Sequence, residues 1–357
     1  MSEVVVYVRS QPQLGDQIVA LPALYQLKTW WASRRIRVVA RDDLAGFYRG
    51  VPWVDEFVRA ATFGDYLRTL KKHTPVCVSL HHSSERFGLI NLLRRPALRF
   101  GFHNARMSDL AWTHSHRKSL AEYIGLANLR LLASYRQFDA EAAARRCFQT
   151  LAHPHRHEGP GADVVLIPGG GSGAFKRWSL LNYLRLAERL KLLLGQDTRF
   201  LFVLGEQEVI ERDQLEAMRR PEFSIAYCRS VPELSALMLR ARLIVANDCG
   251  PSHIAQGAAC PTWRLQRVQS GMVLGPPLLR RGRAPPSPRR HQFRHARRRA
   301  GRLPQSPGAS CASCIRWLSA AWAGWNSASS SNRHGCSAMA TKWRSPLQRT
   351  AKSGARR

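Results

Sequence analysis

The chain has 357 residues and a formal charge of +31, a length that suits two domains of ordinary size, each with its own core. The charge is unevenly placed: residues 1–262 carry 35 Lys/Arg and all 24 Asp/Glu, whereas residues 263–357 carry the other 20 Lys/Arg and no acid. The +11 body is therefore not marked as a nucleic-acid binder. The +20 remainder, with no carboxylate after Asp248, is not composed like a folded domain, whose surface mixes both signs.

The opening MSEVVVYVRSQPQLGD lacks a basic n-region, a long apolar core and a small-residue cleavage site. No run approaches the roughly 18 apolar residues of a membrane span. These features predict a cytoplasmic protein whose membrane contact is peripheral at most. The five cysteines of the body, Cys77, Cys147, Cys228, Cys249 and Cys260, have no paired spacing and read as reduced thiols.

In chain order, residues 4–8 form a β-branched run, followed by a Gly-containing loop and a helical pattern over 16–30 with Ile18, Leu21, Leu24 and Leu27 on one face. Strands are predicted at 35–40, 55–59 and 76–80, with a helix at 44–49, an alternation that implies a parallel sheet with crossover helices. Residues 152–162, AHPHRHEGPGA, are short of apolar side chains and carry Pro and Gly, as a linker does. A second α/β set follows: a strand at 163–167, a glycine-rich loop at 168–174, a helix from the N-cap Ser179 to 194, a strand at 198–204, a helix at 231–240, a strand at 243–246, and a turn at 247–252 into a helix opening near Pro251. The fold class is α/β, with Rossmann-like domains over 1–155 and 156–262 facing a cleft, followed by a basic Pro/Arg/Ser-rich tail over 263–357 that is expected to be disordered.

Three constellations can carry chemistry. QPQLGD, residues 11–16, lies at the carboxyl end of the first strand, where open α/β sheets place ligands. Asp16 there serves either as a helix cap or as a general base. PGGGSGAFKRW, residues 168–178, is neither a P-loop nor G-x-G-x-x-G, but its glycines expose backbone N–H groups beside a helix start, and Lys176 and Arg177 add charge. NDCGPSH, residues 247–253, sets Asp248, a Gly250 turn and His253 at another helix start, an anion pocket with a polar rim. Glu206, after the strand at 198–204, is either a ribose contact or a plain helix N-terminal acid. His81, His82, His114 and His116 lack zinc spacing, and no metal is assigned.

Together these motifs resemble the bacterial ADP-heptose:lipopolysaccharide heptosyltransferases, glycosyltransferase family 9. The run VRSQPQLGDQIVALPAL is similar to that family's N-terminal signature, PG…KRW to its donor-side loop, and D-C-G-x-x-H followed by a small-residue helix to its Asp-Ser/Thr-Gly-x-x-His pattern, with Cys249 in place of the hydroxyl residue. The resemblance implies the GT-B arrangement and inverting, metal-independent transfer from an ADP-sugar, with no cofactor. It implies Asp16 as base and Lys176, Arg177, Glu206, Asp248, Cys249, Gly250 and His253 as donor contacts. It also implies an anionic lipopolysaccharide inner-core acceptor, toward which the Lys/Arg groups at 34–41, 94–99 and 117–118 face unless they are solvated surface, and peripheral contact with the cytoplasmic face of the inner membrane.

After Thr262 the pattern stops. Residues 263–357 read like out-of-frame translation of GC-rich DNA, and Met272-Val273 read one base later forces a Trp codon within a permissible Asn-Pro-Glu-Trp-x-Trp-Gly-Pro. A frameshift near 262–266 is expected. Cys311-x-x-Cys314 has half a zinc spacing and no second pair. The alternatives to an active transferase are an inactive frameshifted product and a polyanion binder acting through tail charge alone, with no specific nucleic acid.

Overall fold

The computed structural model describes residues 3–10, 14–81, 85–104, 106–119, 122–157, 161–170, 177–227, 230–268 and 271–275, all within one compact unit, Met1–Arg283. Six strands make the first sheet: β1 Glu3–Tyr7, β2 Arg35–Ala40, β3 Glu56–Arg59, β4 Val76–Ser79, β5 Leu98–Phe102 and β6 His114–His116. Their order is β3-β2-β1-β4-β5-β6, every neighbour parallel. The central strands are apolar throughout because crossover helices cover both faces. Val4 and Val6 face one core cluster, which includes Leu21 and Leu24, while Val5 and Tyr7 face another with Tyr66 and Phe87.

Among the described residues, seven helices connect and flank these strands: α1 Leu14–Ile18, α2 Leu21–Trp30, α3 Ala45–Arg49, α4 Phe63–Thr69, α5 Glu85–Arg94, α6 Ile124–Ala133 and α7 Ala140–Ala152. The single helix predicted over 16–30 is two. Pro22 has no N–H to offer the carbonyl of Ile18, and its ring crowds the preceding turn, so the chain turns at Val19 and Ala20 and restarts with Pro22 in the first turn of α2.

The second sheet repeats the first. Its strands are β7 Val164–Ile167, β8 Phe200–Leu204, β9 Phe223–Tyr227, β10 Leu243–Asn247, β11 Thr262–Val268 and β12 Gly271–Gly275, in the order β12-β11-β10-β7-β8-β9. All pairs are parallel except the β11/β12 hairpin. Its helices are α8 Leu180–Leu194, α9 Val209–Ala217, α10 Val231–Arg240 and α11 Gly250–Gly257. β11 continues through Val268, past the boundary read at Thr262 from composition. Residues 276–357, which hold most of the basic tail, lie outside the described residues.

The lobes meet through α7, which packs on α2 of the first and on α10 and α11 of the second. The approach to α11 is close: a Cβ on Gly257 would lie 2.2 Å from the Phe148 ring. One core cluster accordingly runs from Val4 through Phe148 to Ile254.

Candidate active site

Both sheets have the doubly wound order, in which ligands bind outside the carboxyl ends of the strands where the winding direction reverses. Those points are β1/β4 in the first sheet and β7/β10 in the second. All three sequence motifs fall there: Asp16 follows β1, Arg177 follows β7, and Asp248 to His253 follow β10.

Asp16 sits in the first turn of α1 with Oδ1 accepting from Arg9 Nη1 at 2.8 Å. Gln17 is buried and ties that turn to the sheet, donating to Arg9 O at 3.0 Å and accepting from Tyr48 Oη at 2.8 Å. His81, at the end of β4, reaches Val8 O through Nε2 at 2.5 Å. Its pKa falls to about 4, chiefly because burial penalises the charged imidazole; the Val8 hydrogen bond opposes this and the Arg86 and Arg9 charges add to it.

The two lobes touch at this point. A Cβ on Gly15 would lie 3.3 Å from His253 Cδ2, and one on Gly250 would lie 3.0 Å from Leu14 Cγ. Glycine at both positions lets the first turn of α1 abut the start of α11, so the neighbour of Asp16 packs on His253.

In the second lobe, Asn247 organises the loop after β7. It is fully buried, accepts from Trp178 N and Tyr183 Oη at 3.1 Å each, and donates to Pro168 O at 2.7 Å and Gly169 O at 3.3 Å. One amide thereby clamps the loop after β7 to the end of β10. Arg177 donates to Gly170 O at 3.0 Å and pairs with Glu208 at 3.2 Å. Glu208 also accepts from Gly205 N at 2.8 Å and Gly170 N at 3.4 Å. Glu206 is exposed, whereas Glu208 is the buried acid of that turn. Asp248, Cys249 and Gly250 are half-buried at the start of α11. Ser252 Oγ accepts from Cys249 N and donates to Cys249 O, and burial pushes the Cys249 thiol up to about 12, so it stays protonated at neutral pH. Lys176 lies outside the described residues.

Two of the basic groups are placed differently from the expectation. Arg35 and Arg37 open β2, at the amino edge of the sheet and away from Asp16, where Arg37 pairs with Glu3 and Glu56 at 3.0 Å each. Arg94 and Arg99 spend their guanidinium groups on the carbonyls of Leu67, Pro96 and Ala111. Arg41, Arg117 and Lys118, which follow β2 and β6, are at the carboxyl edge. The sequence motifs included Asn247 without giving it a role and missed Glu208, Arg9 and Gln17. A polar residue closing the buried run LIVAN was the only signal for Asn247, and a charge beside a glycine turn gave no preference for Glu208 over Glu206.

A family model, Glycosyltransferase family 9 (heptosyltransferase), matches residues 93–265. No curated protein matches the chain. Among solved structures, E. coli heptosyltransferase WaaC with ADP superposes with a TM-score of 0.53 at 17% identity, covering 73% of this chain and 86% of that one. The same enzyme with ADP-2-deoxy-2-fluoro heptose gives 0.52 at 15%, covering 73% and 88%. The glycosyl transferase family 9 protein from Veillonella parvula gives 0.51 at 18%, covering 74% and 80%. The superpositions identify the facing Rossmann-like lobes as the GT-B fold. The match over residues 93–265 identifies that stretch as a glycosyltransferase family 9 domain, the domain of a glycosyltransferase enzyme.

Proposed function

We propose that this protein moves a heptose from ADP-heptose to a hydroxyl of an anionic lipopolysaccharide inner-core acceptor, inverting the anomeric carbon. The observation that carries the reading is the contact of Gly15 with His253, which sets Asp16 beside the start of α11 at the carboxyl ends of both sheets. In this mechanism Asp16 removes the proton of the acceptor hydroxyl as its oxygen bonds to the anomeric carbon. The bond from that carbon to the diphosphate oxygen breaks on the opposite face. The charge of the departing ADP is offset by the N–H groups at the start of α11, by His253 and by Lys176. Arg9 holds Asp16 in place, and Arg177 with Glu208 shapes the loop on which the diphosphate rests.

Peripheral attachment to an anionic membrane face fits the flank formed by α5 and the 3-10 turn Met107–Ala111. Leu89, Leu93, Met107 and Leu110 are 49 to 82% exposed there, beside exposed Arg86, Arg95 and Arg106. Among the described residues no helix is long and apolar enough to cross a membrane. For the tail we infer a change of reading frame near 262–266, the interval in which the family match ends, at Leu265. Resequencing that finds an undisturbed frame removes this inference.

The test is turnover of ADP-heptose on a lipopolysaccharide-core acceptor, by the chain and by its frame-restored form. Asp16→Ala is expected to lower the rate by about 100-fold or more, the usual contribution of a positioned base. Turnover retained in that variant removes Asp16 as base.

A further inference from the structure

Tyr123 of the first lobe immediately precedes α6, and none of the sequence motifs contains it. Its ring lies over the imidazole of His253 in the second lobe, centroids 5.5 Å apart and planes within 27°. Its Oη is 3.1 Å from His253 Nδ1. The surroundings are built to keep the ring there. A Cβ on Gly125 would fall 2.8 Å from Tyr123 Cε1, so only glycine lets the ring lie against the first turn of α6. The preceding residue, Glu122, is clamped by His116 Nε2 at 3.0 Å and Arg130 Nη1 at 2.5 Å, which fixes the backbone from which Tyr123 projects. Apolar side chains of Ile18, Leu129 and Phe148 line the cavity beside the pair.

An imidazole has two distinct nitrogens, and the partner of one decides whether the other carries a proton. Nδ1 of His253 faces the tyrosine. Nε2 is turned toward the first turn of α1, 3.5 Å from where a Cβ on Gly15 would stand.

We propose that Tyr123 is the positioning residue for His253. Its hydroxyl donates to Nδ1, so that Nε2 carries the proton and donates to a diphosphate oxygen of the nucleotide sugar. Because Tyr123 belongs to the acceptor lobe, the diphosphate site of the donor lobe is complete only where the lobes are in contact. The inference rests on His253 being a diphosphate contact.

The experiment is calorimetric titration of the full chain with ADP, for the wild type, Tyr123→Phe, His253→Ala and the double variant. Phenylalanine keeps the ring stack and the fit against Gly125, so the fold is preserved. Tyr123→Phe is expected to weaken ADP binding roughly fivefold to tenfold, the worth of one hydrogen bond. His253→Ala should weaken it at least as much, and the double variant no more than His253→Ala alone. Additive losses, or unchanged affinity in Tyr123→Phe, overturn the inference. Unchanged affinity in His253→Ala defeats the diphosphate reading itself and this inference with it. Nitrogen NMR of the histidines gives a second readout: His253 protonated on Nε2 in the wild type and mixed tautomers in Tyr123→Phe are expected, and an Nδ1-protonated wild type overturns the assignment.

Discussion

A single buried amide decides whether the loop after β7 holds its shape. From the end of β10, Asn247 satisfies two acceptors and two donors on the loop after β7, on Trp178 and on α8. Replacing it by leucine, branched at the same carbon but larger and without a hydrogen-bonding group, leaves Trp178 N–H and two carbonyls without partners in a dry interior. Asn247→Leu is expected to cost about 2–4 kcal/mol of stability in chemical denaturation, since several buried groups lose hydrogen bonds at once. A loss below about 1 kcal/mol would mean that water reaches the loop. His81 gives the first sheet a pH dependence of known sign. Folded, it protonates only near pH 4; unfolded, it does so near 6.5. The unfolded state therefore binds more protons between those values. Stability is complete above about pH 6.5 and falls as pH is lowered toward 4, by roughly 3 kcal/mol. In His81→Gln, denaturation measured across that window should show a shallower slope, and a slope equal to the wild type would move the titration to another group.

At the scale of elements, close approach is set by glycine and chain reversal by one alanine. α11 ends in a Schellman arrangement: Cys260 N donates to Ala255 O at 2.9 Å and Ala259 N to Gln256 O at 3.1 Å. Ala259 takes the left-handed position with φ 59°, where a Cβ is strained. Ala259→Gly is expected to raise stability by about 0.5–1 kcal/mol, seen as a higher thermal midpoint. Gly257 behaves in the opposite way. A side chain there meets Phe148 on α7, so Gly257→Ala should cost about 1–3 kcal/mol and weaken ADP binding by pushing α11 off the lobe interface. An unchanged midpoint would show that α7 yields at no cost. The split of α1 from α2 belongs here too. The apolar spacing of Ile18, Leu21, Leu24 and Leu27 continues through the break, so periodicity alone reads one helix; only the missing N–H of Pro22 divides it.

For the whole molecule, charge and fold are separable. The 20 Lys/Arg of residues 263–357 are uncompensated by any acid, and polyanion binding by the chain should follow them. Removing residues 284–357 deletes 15 of these cations. It is expected to abolish DNA retention at moderate salt, and in the full chain retention should fall steeply as salt rises. DNA retention that survives the truncation would assign binding to the folded body. The repeated strand order explains why the three motifs share one crevice although they stand over 200 residues apart in the chain: each follows a strand at a reversal of winding, and α7 holds the two reversals face to face.

The sequence by itself marked β1 to β4, β7, β8 and β10, whose apolar runs such as VVVY and LIVAN, bounded by turn residues, suit the interior of a covered parallel sheet, and it left β5, β6, β9, β11 and β12 unread. It determined the candidate loops as well, because glycine turns before helices announce anion sites and such loops belong at strand ends. Tertiary structure alone decided which side chains meet. Glu208 rather than Glu206 turns inward because a three-residue turn presents both to the site and only packing against Gly169 and Arg177 selects between them. The same holds for Arg35 and Arg37, which composition groups with Arg41 although strand direction carries them to opposite edges of the sheet. Tyr123 reaches His253 across 130 residues, a pairing fixed by the seating of one lobe on the other, and no local pattern of residues encodes that.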